Sequence, residues 1–222
     1  MKKVFLGVGH GGSDPGAVGY VTEKIANLEM ALACRDYLIQ NDVDVLLSRT
    51  GDLDDSLESR IKKCNNFNPD LAIDIHNNAG GGDGFEVYYH YSGGLSLTLA
   101  KNLEKEVKNI GQNSRGVKTK LNTRGADYFG FIRETKCPAV IAEGFFVDNK
   151  TDSEIADVAE EQRKFGVAYA KAILKTLGIP EKETNTQQKL YYVQAGAFAV
   201  KAYAEKLVED LRKKGYTSAF IK

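Results

Sequence analysis

Residues 4–12, Val-Phe-Leu-Gly-Val-Gly-His-Gly-Gly, join a short apolar run to a glycine-rich loop. The apolar part predicts a buried strand over Val4–Val8, and the loop extends to about Thr22. A second strand is predicted over Val43–Ser48. Between the loop and this strand, apolar residues recur at helical spacing; they are Ile25, Leu28, Leu32 and Ile39. Strand, helix and strand in this order are typical of an α/β fold.

The same alternation continues along the chain to Leu177. Further strands are predicted over Leu71–His76, Phe85–Tyr91, Phe129–Ile132 and Ala139–Ala142. Helices are predicted over Ser56–Phe67, over residues 95–110 and from about Thr151 to Leu177, with an interruption before Phe165. Thr151 begins a segment that resembles a capping box, and Gly178 ends the last helix. The expected fold is α/β, with a central, mostly parallel sheet flanked by helices.

The composition excludes several classes of protein. The 222 residues hold 30 Lys+Arg and 30 Asp+Glu, and this neutral balance lacks the basic footprint of proteins that bind nucleic-acid phosphates, which disfavours nucleic-acid binding. No apolar run approaches the roughly 18 residues of a membrane span, so no membrane insertion is expected. The cysteines Cys34, Cys64 and Cys137 match neither a disulfide framework nor paired zinc ligands. Lys2 and Lys3 are not followed by a signal-peptide apolar region, which predicts synthesis in the cytoplasm.

The segment after the last helix predicts a second, small unit. Residues 181–189 are polar and without periodicity, so a linker is expected over residues 179–189. Residues 190–222 predict one strand-helix-strand unit, with strands at Leu190–Phe198 and Thr217–Ile221. The expected organisation is therefore a large domain over residues 1–178, a linker, and a C-terminal β-α-β unit over residues 190–222.

Two histidines and two glutamates fall where open α/β sheets usually place their sites. His10 and His76 lie at or just beyond the C-terminal ends of predicted strands, Glu143 directly follows Ala139–Ala142, and Glu23 lies at a helix start. Two imidazoles and a carboxylate can form a zinc site with an open fourth position, and a second carboxylate can activate water.

Each of these residues also has a simpler interpretation. The histidines are compatible with capping or surface roles, and Glu23 with an acid favoured at a helix N-terminus. Glu143 is harder to explain in this way, because burial of an unpaired carboxylate is costly. Residues 7–12 also match the dinucleotide-binding pattern G-x-G-x-x-G. That alternative is disfavoured, because a loop continues where a helix should begin and Ser48-Arg49 stands where a ribose-binding acid is expected.

Several motifs, in order along residues 3–177, resemble the zinc-dependent N-acetylmuramoyl-L-alanine amidases of the type 3 class. This family includes sporulation and phage cell-wall hydrolases. The matching segments are Gly9–Ala17, Glu23-Lys24, Leu47–Thr50, Asp70–Ala79, Gly84–Tyr89, Arg115–Lys118, Arg133-Glu134, Cys137–Phe145 and Asp148-Asn149.

The resemblance implies a zinc hydrolase in which His10, Glu23 and His76 bind Zn²⁺ and Glu143 is the catalytic acid and base. It also implies substrate-binding positions at Asn78, which matches a family motif, and at Arg133, a positional match that is also compatible with a structural role. Asp74 departs from the family, whose members usually carry Ser two residues before the second histidine. This aspartate either accepts a hydrogen bond next to the site or caps the strand.

The C-terminal segment Leu190–Phe198, with Ala204 and Leu207 after it, resembles the start of a SPOR domain, a peptidoglycan-binding module. The family's module has two strand-helix-strand halves, and this chain shows one. Two interpretations are open: two chains pair their halves in a homodimer, or the segment is a partly ordered tail.

The function expected is hydrolysis of the amide between N-acetylmuramic acid and L-alanine in peptidoglycan, by an endolysin or autolysin. Two alternatives stay open: a peptidoglycan-binding protein without catalysis, and a zinc hydrolase acting on another bond of the cell wall. Synthesis without a signal peptide implies action at the bacterial wall after lysis or release by a holin-type route. The sequence does not choose between a phage lysin and a sporulation enzyme.

Overall fold

The computed structural model describes residues 1–182, residue 196 and residues 199–216. In these ranges six strands and seven helices alternate. The strands are β1 Lys3–Val8, β2 Asp44–Leu47, β3 Leu71–Asn78, β4 Phe85–Tyr89, β5 Ser114–Lys118 and β6 Ala139–Phe146. The helices are α1 Glu23–Gln40, α2 Leu57–Phe67, α3 Leu95–Asn109, α4 Gly130–Glu134, α5 Lys150–Ser153, α6 Ala159–Leu177 and α7 Lys201–Lys213.

The six strands form one sheet in the order β2-β1-β3-β6-β4-β5. Strand β4 runs antiparallel to β6, while the other neighbouring pairs are parallel. The predicted α/β fold with a mostly parallel sheet is therefore confirmed. Because β4 is reversed, its first residues lie at the same edge of the sheet as the last residues of β3 and β6.

Helices cover both faces of the sheet. On one face α1, α3 and α6 pack over a large apolar core that includes Met30, Phe85 and Phe165. On the other face α2 and α4 cover a smaller core around Phe5 and Phe131. Helices α1 and α6 approach closely at Gly166, where an added Cβ would lie 2.1 Å from the Met30 carbonyl oxygen. A larger residue at this position would push the two helices apart.

Two local predictions differ from the structure. The strand predicted over Phe129–Ile132 is wrong, because this segment leads into helix α4, which buries Phe131 and Ile132. The capping residue predicted at Thr151 is Asn149 instead, whose side chain accepts a hydrogen bond from the Asp152 amide. The predicted interruption before Phe165 is present as the gap between α5 and α6.

The chain divides into two compact units, Met1–Glu181 and Lys182–Lys222. In the second unit, α7 presents half-buried Leu207, Val208 and Leu211 along one face. The strands predicted over residues 190–198 and 217–221 lie outside the described residues, except for position 196. In the described ranges, no helix has the length and apolar character needed to cross a bilayer.

Candidate active site

The ends of neighbouring strands bring the predicted site residues to one edge of the sheet. Gly9 follows β1, and its amide donates a hydrogen bond to the Ile75 carbonyl of β3. His10 comes next and adopts a left-handed backbone with φ of 59°. An added Cβ on Gly9 would lie 2.4 Å from the His76 ring. Glycine at this position therefore lets the β1 loop approach His76 closely.

His10, Glu23 and His76 form a cluster in which one ligand atom from each lies within 4.8 Å of the others. His10 Nε2 lies 3.2 Å from Glu23 Oε2, and His76 Nδ1 lies 3.0 Å from Glu23 Oε1. Tetrahedral Zn²⁺ with ligands at about 2.1 Å holds neighbouring ligand atoms about 3.4 Å apart. The spacing and the donor types therefore fit zinc.

A second carboxylate lies behind each imidazole. His10 Nδ1 is 2.8 Å from Asp14 Oδ2, and His76 Nε2 is 3.4 Å from Asp74 Oδ2. Each ring thus presents one nitrogen to Glu23 and the other to an aspartate, the arrangement that fixes the ring orientation of metal-ligating histidines. Asp74, which departs from the family pattern, is therefore the residue next to the second nitrogen of His76.

Asp74 is itself held by a buried arginine. Arg60 Nη1 of α2 lies 2.9 Å from both carboxylate oxygens of Asp74 and 3.2 Å from His76 Nε2. Arg60 and Asp74 are 5% and 1% exposed, respectively. The arginine also contacts Asp55, donating to its carbonyl at 3.2 Å. Helix α2 is thereby tied to β3 directly behind the cluster.

The pKa directions show a site prepared for a cation. Burial raises the pKa of Glu23, but hydrogen bonds with His10 and His76 outweigh it and hold the pKa far below its usual value. Burial lowers the pKa of His76, yet Asp74 and Glu23 raise it to about 10. A hydrogen bond to Glu23 likewise raises the pKa of His10. Metal ligation requires neutral imidazole, so a divalent metal bound at this cluster would displace the additional proton of His76.

Glu143 lies beside this cluster, and its pKa is shifted upward, whereas that of Glu23 is shifted downward. It lies directly opposite His76 in the β3–β6 register. Burial raises its pKa to about 7, and the negative charges of Glu23, Glu86 and Asp74 act in the same direction. In the described ranges no residue donates a hydrogen bond to its carboxyl group. A carboxyl with a pKa near neutrality and free oxygens can accept and return a proton.

The two predicted substrate-binding residues lie in different surroundings. Asn78 follows a register shift in β3, and its Nδ2 donates to Glu86 Oε1 at 3.0 Å. Arg133 donates to the carbonyls of Asp127 and Tyr128 at 2.8 and 3.0 Å. Within the described residues, no contact joins Arg133 to the cluster of His10, Glu23 and His76. Its contacts hold a loop, and a substrate role for Arg133 stays a prediction.

Sequence reasoning did not single out Arg60 or Glu86, although both lie at this edge. Each is a charged residue next to apolar residues on a covered face, since Arg60 precedes Ile61 in α2 and Glu86 follows Phe85 in β4. Buried charges require partners. The signal available in the sequence was Asp74, a charged residue within the apolar run of β3. Its burial requires a cationic partner such as Arg60.

Three side chains that could hold a metal ion and an adjacent carboxyl group, at the edge of an α/β sheet, have the chemistry of a metal-dependent hydrolase. Comparisons with known proteins specify the class further. The family model for N-acetylmuramoyl-L-alanine amidase matches residues 4–175. The chain therefore belongs to this family, as its motifs predicted. A SPOR domain model matches residues 187–222.

Similarity to individual proteins supports the same family assignment. The chain is 36% identical over 226 aligned positions to the sporulation-specific N-acetylmuramoyl-L-alanine amidase of Bacillus subtilis (strain 168), covering 100% of this chain and 85% of that protein. The catalytic domain of the amidase CwlV from Bacillus (Paenibacillus) polymyxa var. colistinus matches with TM-score 0.73 and 31% identity, over 81% of this chain and 100% of that one. Cwp6 from Clostridium difficile matches with TM-score 0.78 and 33% identity, over 79% of this chain and 29% of that one.

Proposed function

We propose that this chain hydrolyses the amide bond between N-acetylmuramic acid and L-alanine in peptidoglycan. Zn²⁺ is held by His10, Glu23 and His76, and Glu143 transfers the proton. The observation that carries this proposal is the position of Glu143 in β6, directly opposite His76 in β3. Membership of the amidase family supports the choice of bond.

Different residues of the chain have different roles in the proposed reaction. Bound zinc supplies Lewis-acid polarisation of the scissile carbonyl and activates water. Glu143 accepts the proton of the attacking water at a carboxylate oxygen and returns it to the departing alanine amine. Such positioned proton transfer contributes about 10²–10⁴-fold to the rate. Asp14 and Asp74 hold the imidazole rings in orientation, and Asn78 contributes to the substrate groove.

We assign catalysis to residues 1–178, a linker to residues 179–189 and wall binding to the SPOR-like unit over residues 190–222. The division of the chain into two units and the two family matches support this assignment. The apolar face of α7 formed by Leu207, Val208 and Leu211 is only half-buried, which supports pairing of two such units in a homodimer. The enzyme acts at the bacterial cell wall, which the amidase and SPOR matches support.

Digestion of purified peptidoglycan tests the reaction. New alanine amino termini are counted separately from new reducing sugar ends, with chelator and after zinc is restored. We expect alanine amines without reducing ends, loss of product with chelator and recovery with zinc. Amines from other residues would indicate a peptidase, and wall binding without product would indicate a non-catalytic protein.

Three variants separate the roles of metal and base. Glu143→Gln is expected to retain zinc and lose at least about 100-fold in turnover. His76→Ala is expected to lose both zinc and turnover. His90→Ala is the matched control, since His90 contacts Ser92 and Asp127 and none of the ligand residues. Full zinc content in His76→Ala, measured by elemental analysis, would contradict the ligand assignment.

A further inference from the structure

Glu86 is the centre of a polar cluster on the other side of Glu143. The side chain is 6% exposed. Its Oε1 accepts hydrogen bonds from Asn78 Nδ2 and Tyr88 Oη, each at 3.0 Å. Its Oε2 accepts from Arg115 Nε at 3.0 Å and from Lys118 Nζ at 2.5 Å. Four donors fill the acceptor sites of one carboxylate, so Glu86 serves as an anchor for these groups.

The anchor remains charged and brings two cations together. Burial raises the pKa of Glu86, but contacts with Lys118, Arg115 and Tyr88 lower it below its usual value. One carboxylate against two cations leaves one positive charge in excess. Arg115 uses Nε for Glu86, which leaves its two terminal nitrogens for another acceptor, and Lys118 retains two N–H donors. In the described part of the chain, Glu86 is the carboxylate that pairs with either cation.

The two cations are held in place yet reach solvent. The side chains of Arg115 and Lys118 are 41% and 32% exposed. The Arg115 guanidinium lies over the Phe146 ring, 5.1 Å from its centroid. Phe146 is the last residue of β6, the strand that carries Glu143. The cations are therefore fixed by Glu86 and Phe146 while their remaining donors stay accessible.

The strand register places this cluster next to the proposed reaction centre. Glu86 and Glu143 are direct partners in the antiparallel β4–β6 pair. Directly opposite residues share one face of a sheet, with Cβ atoms about 5 Å apart. Glu143 therefore lies between the metal-ligand cluster, on the β3 side, and the Glu86 cluster, on the β4 and β5 side.

These observations point to the part of the substrate that follows the scissile amide. We propose that Arg115 and Lys118, anchored by Glu86, form a subsite for a carboxylate on the residue after L-alanine in the stem peptide. Such a carboxylate lies up to about 7 Å from the scissile nitrogen. The cations lie on the order of 8 Å from Glu143, one cross-strand spacing plus one hydrogen bond away. The inference rests on the proposed function, since it names the substrate recognised at the same site.

Two soluble substrates test the subsite. N-acetylmuramoyl-L-alanyl-D-glutamate and its isoglutamine amide differ in one free carboxylate. We expect the wild-type protein to cleave the carboxylate form with a kcat/KM about tenfold higher, the effect of one charge-assisted hydrogen bond. Arg115→Gln and Lys118→Gln are expected to lose most of this preference, because cleavage of the carboxylate form falls further than cleavage of the amide form. Lys101→Gln, which removes an exposed positive charge from α3, is the control and should keep the preference.

Three kinetic results would overturn the subsite. In the first, the wild-type protein cleaves the carboxylate and amide substrates equally well. In the second, the Arg115 and Lys118 variants lose the same activity on both substrates. In the third, the preference for the carboxylate substrate also disappears in Lys101→Gln. Calorimetric titration with the dipeptides L-alanyl-D-glutamate and L-alanyl-D-isoglutamine gives a second readout without catalysis. If neither muramyl substrate is cleaved but the dipeptides are still discriminated, the proposed function fails and the subsite stands. If the dipeptides bind equally, the subsite fails whatever the activity.

Discussion

Replacing Arg60 with methionine tests the support behind the metal-ligand cluster. Arg60 Nη1 lies 2.9 Å from both oxygens of Asp74, and both side chains are buried. Methionine keeps much of the buried aliphatic volume but removes the charge. The Arg60→Met variant therefore leaves the buried Asp74 carboxylate without its arginine, and the His76 ring 3.4 Å away is the cationic partner that it retains.

The magnitude follows from the geometry of this pair. Removing one partner of a buried ion pair costs about 3–5 kcal/mol, and we expect the lower end of this range because His76 remains beside Asp74. For a unit of this size each kcal/mol lowers Tm by about 2–4 °C, so we expect Arg60→Met to melt about 10 °C below wild type. The double variant Arg60→Met/Asp74→Asn removes both charges and should recover at least about 2 kcal/mol of the loss.

Thermal unfolding followed by far-UV circular dichroism measures these differences. Chelator is present throughout, because metal binding would stabilise each variant to a different extent. Lys108→Met is the control, since it breaks an exposed i,i+4 pair with Glu104 and should cost no more than about 0.5 kcal/mol. The reasoning is refuted if Arg60→Met melts within about 2 °C of wild type, or if the double variant is no more stable than the single one.

Two further predictions concern Glu143 and the C-terminal unit. The folded state raises the pKa of Glu143 from 4.5 to about 7, so it binds a proton more tightly than the unfolded chain, and wild-type stability falls as pH rises through this range. In chelator, Glu143→Gln should therefore exceed wild type in stability by on the order of 3 kcal/mol at pH 8, and the gap should close below pH 4.5. A gap independent of pH would contradict the cause assigned to the shift. For the homodimer, light scattering at micromolar concentration should give twice the 24.4 kDa chain mass, and a monodisperse monomer would exclude pairing.

The sequence was sufficient to predict those site residues whose position in the fold depends only on where a strand ends. His10, His76 and Glu143 each follow or end an apolar run, and parallel strands place such residues at one edge. The segment Phe129–Ile132 was misassigned because a short apolar run fits a strand and a buried helical turn equally well. Its packing against Phe5 decides in favour of α4, and no local pattern contains that information.

The antiparallel direction of β4 explains why the Glu86 cluster was not predicted together with the other site residues. The C-terminal ends of strands carry His10 after β1, His76 in β3 and Glu143 in β6, the residues proposed as metal ligands and as the proton-transfer residue. Because β4 is reversed, Glu86 reaches the same edge from near the start of its strand, and β5, parallel to β4, brings Arg115 there in the same way. One reversal in strand direction thus places a positive cluster beside Glu143, opposite the metal ligands. A scissile amide held between the two clusters would have its carbonyl directed to the metal side and its peptide directed to the basic side, which is the polarity that the proposed subsite requires.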